Sequence, residues 1–406
     1  MWKAAKWGML GLAVALTIAL SGVVGHSIGE DGAKPATSVP TDGGDFGILN
    51  EIYGILQSDF VEPDSIDPSA LRTGAINGII QALGDPHTVY IDPESYALGI
   101  DIISGTFEGI GAQVERDPVS GEIVIVTPFR DSPAEKAGVR AGDVIRAVDG
   151  EPTEGWSVTE AVKRIRGDKG TPVMLTIEHS NGDTEDVTIE RGEIKVPTVF
   201  TRQVEDKDGA AVSDIAYVEL QQFTEQTVND LRKELSQLRD KGFDGLILDL
   251  RRNPGGSLDA TVAVADMFLD GGLVLTQVDR EGKRTEYEAE SGGEAVGLPT
   301  VVLVGPGSAS GAEVVAGALR DNGVATLVGE KTFGKGSVNH LRPLSDGGAL
   351  YVTIARWLTP SGEQIEGVGL EPDVPVTFSE QDLTDGNDVQ LFAAIDYLRD
   401  NLTRAP

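Results

Sequence analysis

A serine hydroxyl becomes a nucleophile only when a base takes its proton, and this chain holds a serine and a lysine whose settings suit that division of work. Ser310 lies in Gly305-Pro306-Gly307-Ser308-Ala309-Ser310-Gly311-Ala312-Glu313, and Lys335 follows in Phe333-Gly334-Lys335-Gly336. An amine held against apolar surface loses basicity through desolvation and becomes available as a base near neutral pH. The plainer readings are that Ser308 and Ser310 cap a helix and that Lys335 is a solvated loop residue.

The elements that must position these residues follow from local pattern. Residues 300–304 are an apolar, β-branched run of strand length, and 313–319 continue as small and apolar residues with helical character. A strand, a Pro-Gly turn and a helix place Ser310 near a helix N-terminus, where unpaired N–H groups and the dipole favour developing negative charge. Lys335 follows a second apolar stretch, 324–328. Upstream, 246–250 read as a buried strand, then come Arg251-Arg252-Asn253-Pro254-Gly255-Gly256 and a helical run over 258–269. A Gly-Gly turn lets backbone N–H groups approach a ligand closely, as an oxyanion hole requires, although most such pairs are simply turns.

Two rival chemistries compete. Gly329-Glu330-Lys331-Thr332-Phe333-Gly334-Lys335 matches the opening of a P-loop, but Gly336 stands where a Ser or Thr would hold magnesium, and Tyr351-Val352-Thr353-Ile354 reads as strand. A Ser-His-Asp triad has four histidines to draw on: His26, His87, His179 and His340. His87 sits in Asp85-Pro86-His87-Thr88, a turn sequence, and His179 in a hairpin. With no cysteine and no HExxH pair, metal ligation has no support, and no cofactor is expected.

The serine and lysine segments resemble those of the carboxy-terminal processing proteases, also called tail-specific proteases, whose nucleophile motif reads roughly Ser-Ala-Ser-Ala-Ser-Glu and whose base lies in Phe-Gly-Lys-Gly at this same spacing. The resemblance implies Ser310 as nucleophile, Lys335 as general base, and the N–H groups of Gly256 and Gly311 as oxyanion donors. It implies a crotonase-like α/β protease core. Two departures stand out: Gly311-Ala312 replaces Ala-Ser, and Asn339 occupies the place of a glutamine that orients the lysine amine. Gly367-Val368-Gly369-Leu370-Glu371-Pro372-Asp373-Val374 and the Asp-Pro-His segment are further family traits.

A second unit lies upstream. Glu108-Gly109-Ile110-Gly111-Ala112, Ser132-Pro133-Ala134-Glu135-Lys136-Ala137-Gly138-Val139 and Gly142-Asp143-Val144-Ile145-Arg146-Ala147-Val148-Asp149-Gly150 resemble a bacterial PDZ domain over 98–192. A loop of Gly109, Ile110 and Gly111 can offer N–H groups to a terminal carboxylate while the next strand pairs with the peptide, so the expected partners are proteins with unstructured C-terminal tails.

The chain's 406 residues are enough for two or three domains with ample core. A net charge of −32 argues against nucleic acid as a partner. Lys3 and Lys6 precede 7–25, a charge-free stretch long enough to span a bilayer, and the positive-inside rule then places the remainder outside the cytoplasm. A signal peptide cleaved near Ala19-Leu20-Ser21 competes with this anchor. The expected organisation is an anchor or signal over 1–26, a flexible linker over 27–45, an N-terminal helical region over 46–97 for which the resemblance implies self-association, the inserted mainly-β PDZ domain over 98–192, the protease core over 193–377, and a C-terminal helical segment over 378–406. The expected function is a membrane-tethered, extracytoplasmic serine endopeptidase that cleaves exported proteins near their C-termini. The competing expectation is a catalytically weak PDZ scaffold.

Overall fold

The computed structural model describes residues 46–93, 95–96, 106–118, 120–129 and 131–402. The apolar stretch 7–25, the linker 27–45 and the start of the PDZ-like unit, 98–105, lie outside them. Among the described residues no helix is long and apolar enough to cross a membrane.

The helical region expected over 46–97 holds two α-helices among its described residues, α1 (Gly47–Asp59) and α2 (Pro68–Leu83). Proline cannot donate the N–H that a helix interior needs, so Pro63 and Pro68 interrupt the run. Pro68 instead takes the first turn of α2 behind Asp67, whose carboxylate accepts from Ser69 and Ala70. Neither helix buries a residue within this chain. The Asp85-Pro86-His87-Thr88 turn then leads into β1 (Val89–Ile91).

The PDZ-like unit begins with β2 (Thr106–Gly109), β3 (Ala112–Arg116), β4 (Ile123–Pro128) and a one-turn helix, α3 (Pro133–Lys136). It continues with β5 (Val144–Val148), β6 (Glu151–Pro152), α4 (Val158–Ile165), β7 (Pro172–Glu178), β8 (Thr184–Glu190) and β9 (Gly192–Lys195). Strands β3-β4-β5-β7-β8 form an antiparallel sheet, β6 pairs with β5, and β2 with β9 makes a separate ribbon. Alternation along β4 and β7 turns Ile123, Ile125, Val173, Leu175 and Ile177 into a core of its own, against which α4 lays Ala161 and Ile165.

The remaining chain builds two sheets. Strand β10 (Val199–Thr201) pairs antiparallel with β11 (Ile215–Leu220); helix α5 (Glu225–Lys241) leads to β12 (Gly245–Asp249), and α6 (Leu258–Asp266) follows. Strands β13 (Gly272–Asp279) and β14 (Arg284–Ala289) form a hairpin before β15 (Thr300–Val304), α7 (Gly311–Asp321) and β16 (Ala325–Gly329). Then come β17 (Ser337–Pro343), β18 (Ala349–Leu358), β19 (Val374–Pro375), α8 (Glu380–Asp385) and α9 (Val389–Leu402).

One sheet runs β10-β11-β12-β15-β16-β19, parallel from β11 onward. Its central strands are buried on both faces, which is why they read as unbroken apolar runs. Leu246, Leu248, Val302 and Val304 face α5, α6 and α7, while Ile247, Val301, Leu303 and Val328 face α9. The second sheet is centred on β18, with β17 along one edge and β13 and β1 sharing the other. Parallel strands direct their carboxyl ends to one side, so the loops after β12 and β15 meet there.

Candidate active site

Ser310 sits where β15 turns into α7, at φ 54° and ψ −115°. A non-glycine residue in that region costs about 1–3 kcal/mol and is kept only where surrounding contacts enforce it. The side chain is fully buried, and its Oγ has no hydrogen-bond partner. Ser310 does occupy the N-cap position of α7, with Glu313 reaching back to its N–H, but its own hydroxyl makes no capping hydrogen bond. The capping reading does not hold for Ser308, whose Oγ donates to the Leu250 carbonyl at 2.8 Å and accepts from the Gly305 N–H at 3.1 Å, pinning the loop to the end of β12.

Lys335 is 6% exposed, and its Nζ lies 5.8 Å from the centroid of the Tyr351 ring. The solvated-loop reading fails. Burial depresses the amine to about 8, against the opposing pull of Glu366, Asp85 and Glu313. An amine in that range is neutral often enough near neutral pH to accept a proton.

Glu313 joins the two segments. Its Oε1 accepts from Thr332 Oγ1 at 2.5 Å and the Gly334 N–H at 2.7 Å; its Oε2 accepts from the N–H groups of Ser310 and Lys335, each at 2.9 Å. The Ser310 and Lys335 backbone nitrogens are thus no further apart than two hydrogen bonds laid end to end. Burial pushes the Glu313 carboxyl up, while these four donors hold it down. Glu313 was no candidate at the level of sequence, although the signal was present: an acidic residue three positions into a helix reaches back to its first residue.

The two glycine donors proposed from sequence lie beside this serine. A Cβ on Gly255 would come within 2.8 Å of the Ser310 Cβ and 3.0 Å of the Gly311 nitrogen, so the two loops touch. Asn253, fully buried, ties them together: its side-chain oxygen accepts the Gly255 N–H at 2.9 Å and its carbonyl accepts the Ala309 N–H at 3.0 Å. No hydrogen bond is made by the N–H of Gly256 or of Gly311 among the described residues. Gly311 also has a steric reason to replace alanine, because a Cβ there would meet Thr261 Oγ1 at 2.5 Å.

Asn339 is buried in β17. Its Nδ2 donates to the His87 carbonyl at 2.9 Å and to Thr353 Oγ1 at 3.0 Å, and its Oδ1 accepts from Ser337 Oγ at 3.1 Å. Both amide hydrogens are thus engaged away from the lysine. No described histidine bonds to Ser310, since its hydroxyl has no partner; His179 lies between Asp143 and Glu185, each at 2.8 Å, and His87 faces Glu366. His26 lies outside the described residues. Lys335 runs into strand β17 rather than a helix, which removes the P-loop reading. No cluster of metal-binding side chains exists among the described residues.

A cavity of about 570 Å³ lies elsewhere, between the ends of β11 and β12 and the C-terminal helices. Several of its polar groups are already paired: Arg251 grips Asp249 and Asp388, and Tyr217 donates to Asp249 at 2.7 Å. A smaller cavity, about 140 Å³, lies in the PDZ-like unit between β3 and α4, lined by Phe107, Ile110, Val114, Val162 and Ile165. Gly109 pairs with Gly192 in the β2–β9 ribbon, whereas the N–H groups of Ile110 and Gly111 make no hydrogen bond among the described residues.

An α/β core preceded by a PDZ fold, with a strained serine at a strand-to-helix turn, defines a serine-type peptidase. Residues 214–376 match the model of peptidase family S41, 124–179 a PDZ domain, and 27–95 the N-terminal domain of the activating protease CtpB. The chain belongs to the carboxy-terminal processing proteases of family S41. It is 40% identical over 338 residues to the carboxy-terminal processing protease CtpA of Bacillus subtilis, covering 83% of this chain and 70% of that protein. To the carboxyl-terminal-processing protease of Synechocystis sp. it is 38% identical over 328 residues, 80% of this chain and 76% of the relative. The solved photosystem II D1 C-terminal processing protease is 33% identical, covering 82% of this chain and 87% of its own, at a TM-score of 0.48.

Proposed function

We propose that this chain is a membrane-tethered, extracytoplasmic endopeptidase acting near protein C-termini, with Ser310 as nucleophile and Lys335 as general base. One observation carries the reading: a serine on a strained turn, its buried hydroxyl without a partner, has its backbone N–H bound to the same Glu313 carboxylate oxygen as the backbone N–H of a buried lysine. Ser310 Oγ attacks the scissile carbonyl carbon while the neutral Lys335 amine takes its proton. The N–H groups of Gly256 and Gly311 receive the oxyanion. Collapse of the tetrahedral intermediate expels the amine product, which takes the proton from Lys335, and water then cleaves the acyl-enzyme with Lys335 again as base.

The PDZ groove supplies the other half of the substrate interaction. The tail carboxylate meets the Gly109-Ile110-Gly111 loop, and an apolar side chain enters the cavity between β3 and α4. The tether rests on the charge-free stretch 7–25 behind Lys3 and Lys6.

The test is degradation of an unstructured protein by the full chain. Wild type cleaves, and Ser310→Ala and Lys335→Ala are each inactive while keeping the wild-type melting temperature within a few degrees. Wild-type turnover in either variant removes the dyad; tail binding without cleavage by the wild type returns the chain to the scaffold reading.

A further inference from the structure

The Asp85-Pro86-His87-Thr88 turn, which links α2 to β1, is built into the wall of the candidate site. Strand β1 pairs with the first residues of β18. The turn is held from several sides: Asn339 Nδ2 donates to the His87 carbonyl at 2.9 Å, and the Thr353 N–H donates to Thr88 Oγ1 at 3.2 Å. Asp85 closes it internally, accepting from Thr88 Oγ1 at 2.7 Å and from the His87 N–H at 3.2 Å. These bonds satisfy the turn without its imidazole. The His87 ring reaches out instead, placing Nε2 at 3.0 Å from Glu366 Oε1.

Glu366 in turn lies against the lysine loop. A Cβ on Gly336, the residue after Lys335, would come within 2.6 Å of the Glu366 nitrogen and 3.1 Å of its Cβ. The other Glu366 carboxylate oxygen, Oε2, is buried without a partner, as is Arg356 Nη1. A buried carboxylate oxygen left unbonded is costly to keep, and such atoms call for a functional explanation.

We propose that Glu366, held in place by His87, is a positioning residue of the catalytic apparatus, its carboxylate setting the proton affinity of the Lys335 amine and thereby coupling the base to the turn that ends α2. The inference rests on Lys335 acting as the general base. Among the described residues, the charges acting on the amine are the anions Glu366, Asp85 and Glu313, with the ring of Tyr351 beside it, while Arg356 acts on Glu366 and Asp85. Glu313 has its lone pairs occupied by four donors, and Asp85 is engaged within its own turn. Glu366 is the one of the three that keeps a buried oxygen without a partner, and it exerts the largest opposing charge effect on the amine.

The experiment measures kcat/KM against pH for the full chain, together with the pH dependence of Lys335 acylation by a small amine-reactive reagent, read by mass spectrometry. An anion beside an ammonium stabilises it, so the isosteric Glu366→Gln lowers the amine's proton affinity. The acid limb of the activity profile and the acylation midpoint both move to lower pH, by about half a unit or more. His87→Ala loses at least severalfold in kcat, and His87→Gln, which keeps an N–H for Glu366, recovers it. If Glu366→Gln reduces activity equally at every pH and leaves both midpoints unchanged, Glu366 is structural only and the proposal falls. A shifted acylation midpoint with an unshifted activity limb would instead show that Lys335 is not the base, which overturns the reading beneath it.

Discussion

At the scale of single residues, Glu313 is the one on which the most depends. Two carboxylate oxygens meet four donors, three of them backbone N–H groups from the serine turn and the lysine loop. Glutamine is nearly the same size, but its NH2 would face donors rather than accept from them. Glu313→Gln is expected to lower kcat about a hundredfold and to reduce the melting temperature, because buried donors lose their acceptor; unchanged turnover would separate the bridge from the chemistry. Lys335 yields a second prediction. The base must be neutral, so kcat/KM should climb about tenfold per unit below pH 8 and level off above it. The stability consequence has the opposite sense. The folded chain releases this proton near 8, the unfolded chain near the ordinary 10.5, so the unfolded state binds more protons between those values and stability rises with pH across that window. Below pH 8 the folded state carries the whole penalty of a buried ammonium. Lys335→Met should therefore abolish activity yet stabilise the fold at pH 7 by on the order of 2 kcal/mol, with the gain shrinking by pH 10 in denaturant melts.

At the scale of elements, the site is the meeting of two loops at the carboxyl ends of adjacent parallel strands. Asn253 binds the loop after β12 to the loop after β15, and Gly255 fills the space left between them. Gly255 has φ 109°, where a side chain is strained, and a Cβ would press on Ser310. Gly255→Ala should displace the serine turn and cost a hundredfold or more in kcat with a much smaller change in KM, since the groove proposed to take the tail is elsewhere. The PDZ cavity makes the complementary prediction. Val162→Asp on α4 places a charge in an apolar groove and should raise KM for tailed substrates while leaving kcat near wild type. Equal KM for substrates with and without a free C-terminus would remove the groove from recognition.

At the scale of the whole molecule, the N-terminal helices are the part without a core. Ile48, Leu49, Ile52 and Ile55 are spaced to share one face of α1, and all are exposed. An apolar face of that kind is costly in water and fits self-association with a second copy of this chain, as the family resemblance implies. Ile52→Glu with Ile55→Glu is expected to convert a dimer to a monomer in sedimentation without lowering the melting temperature of the remaining fold. A wild-type chain that sediments as a monomer at micromolar concentration would discard the idea. Since α2 ends in the turn that carries His87, assembly through these helices also has a physical route to the candidate base.

Much of this was legible in one dimension. The central strands of the parallel sheet read as continuous apolar runs because they are buried on both faces, and the PDZ-like unit was legible through its glycine-rich loop and turn motifs. The Ser310 and Lys335 segments could be picked out as candidates because a nucleophile and a base each need a local context of small residues, turns and apolar neighbours, all of which is written consecutively. What the sequence could not decide was what those side chains touch. Asn339 occupies a position that the family resemblance assigns to orienting the lysine, yet its amide hydrogens go to a carbonyl 252 residues away and to Thr353. Glu366 carries no local signal at all, and His87 was legible only as part of a turn, with nothing to pair it with Glu366. Contacts of that kind depend on which strand edges pair and which loops close on one another, and a one-residue change of register would send every side chain to the other face. Local pattern determines where a strand, a turn or a helix begins; only the closed tertiary structure sets which buried charge finds which partner.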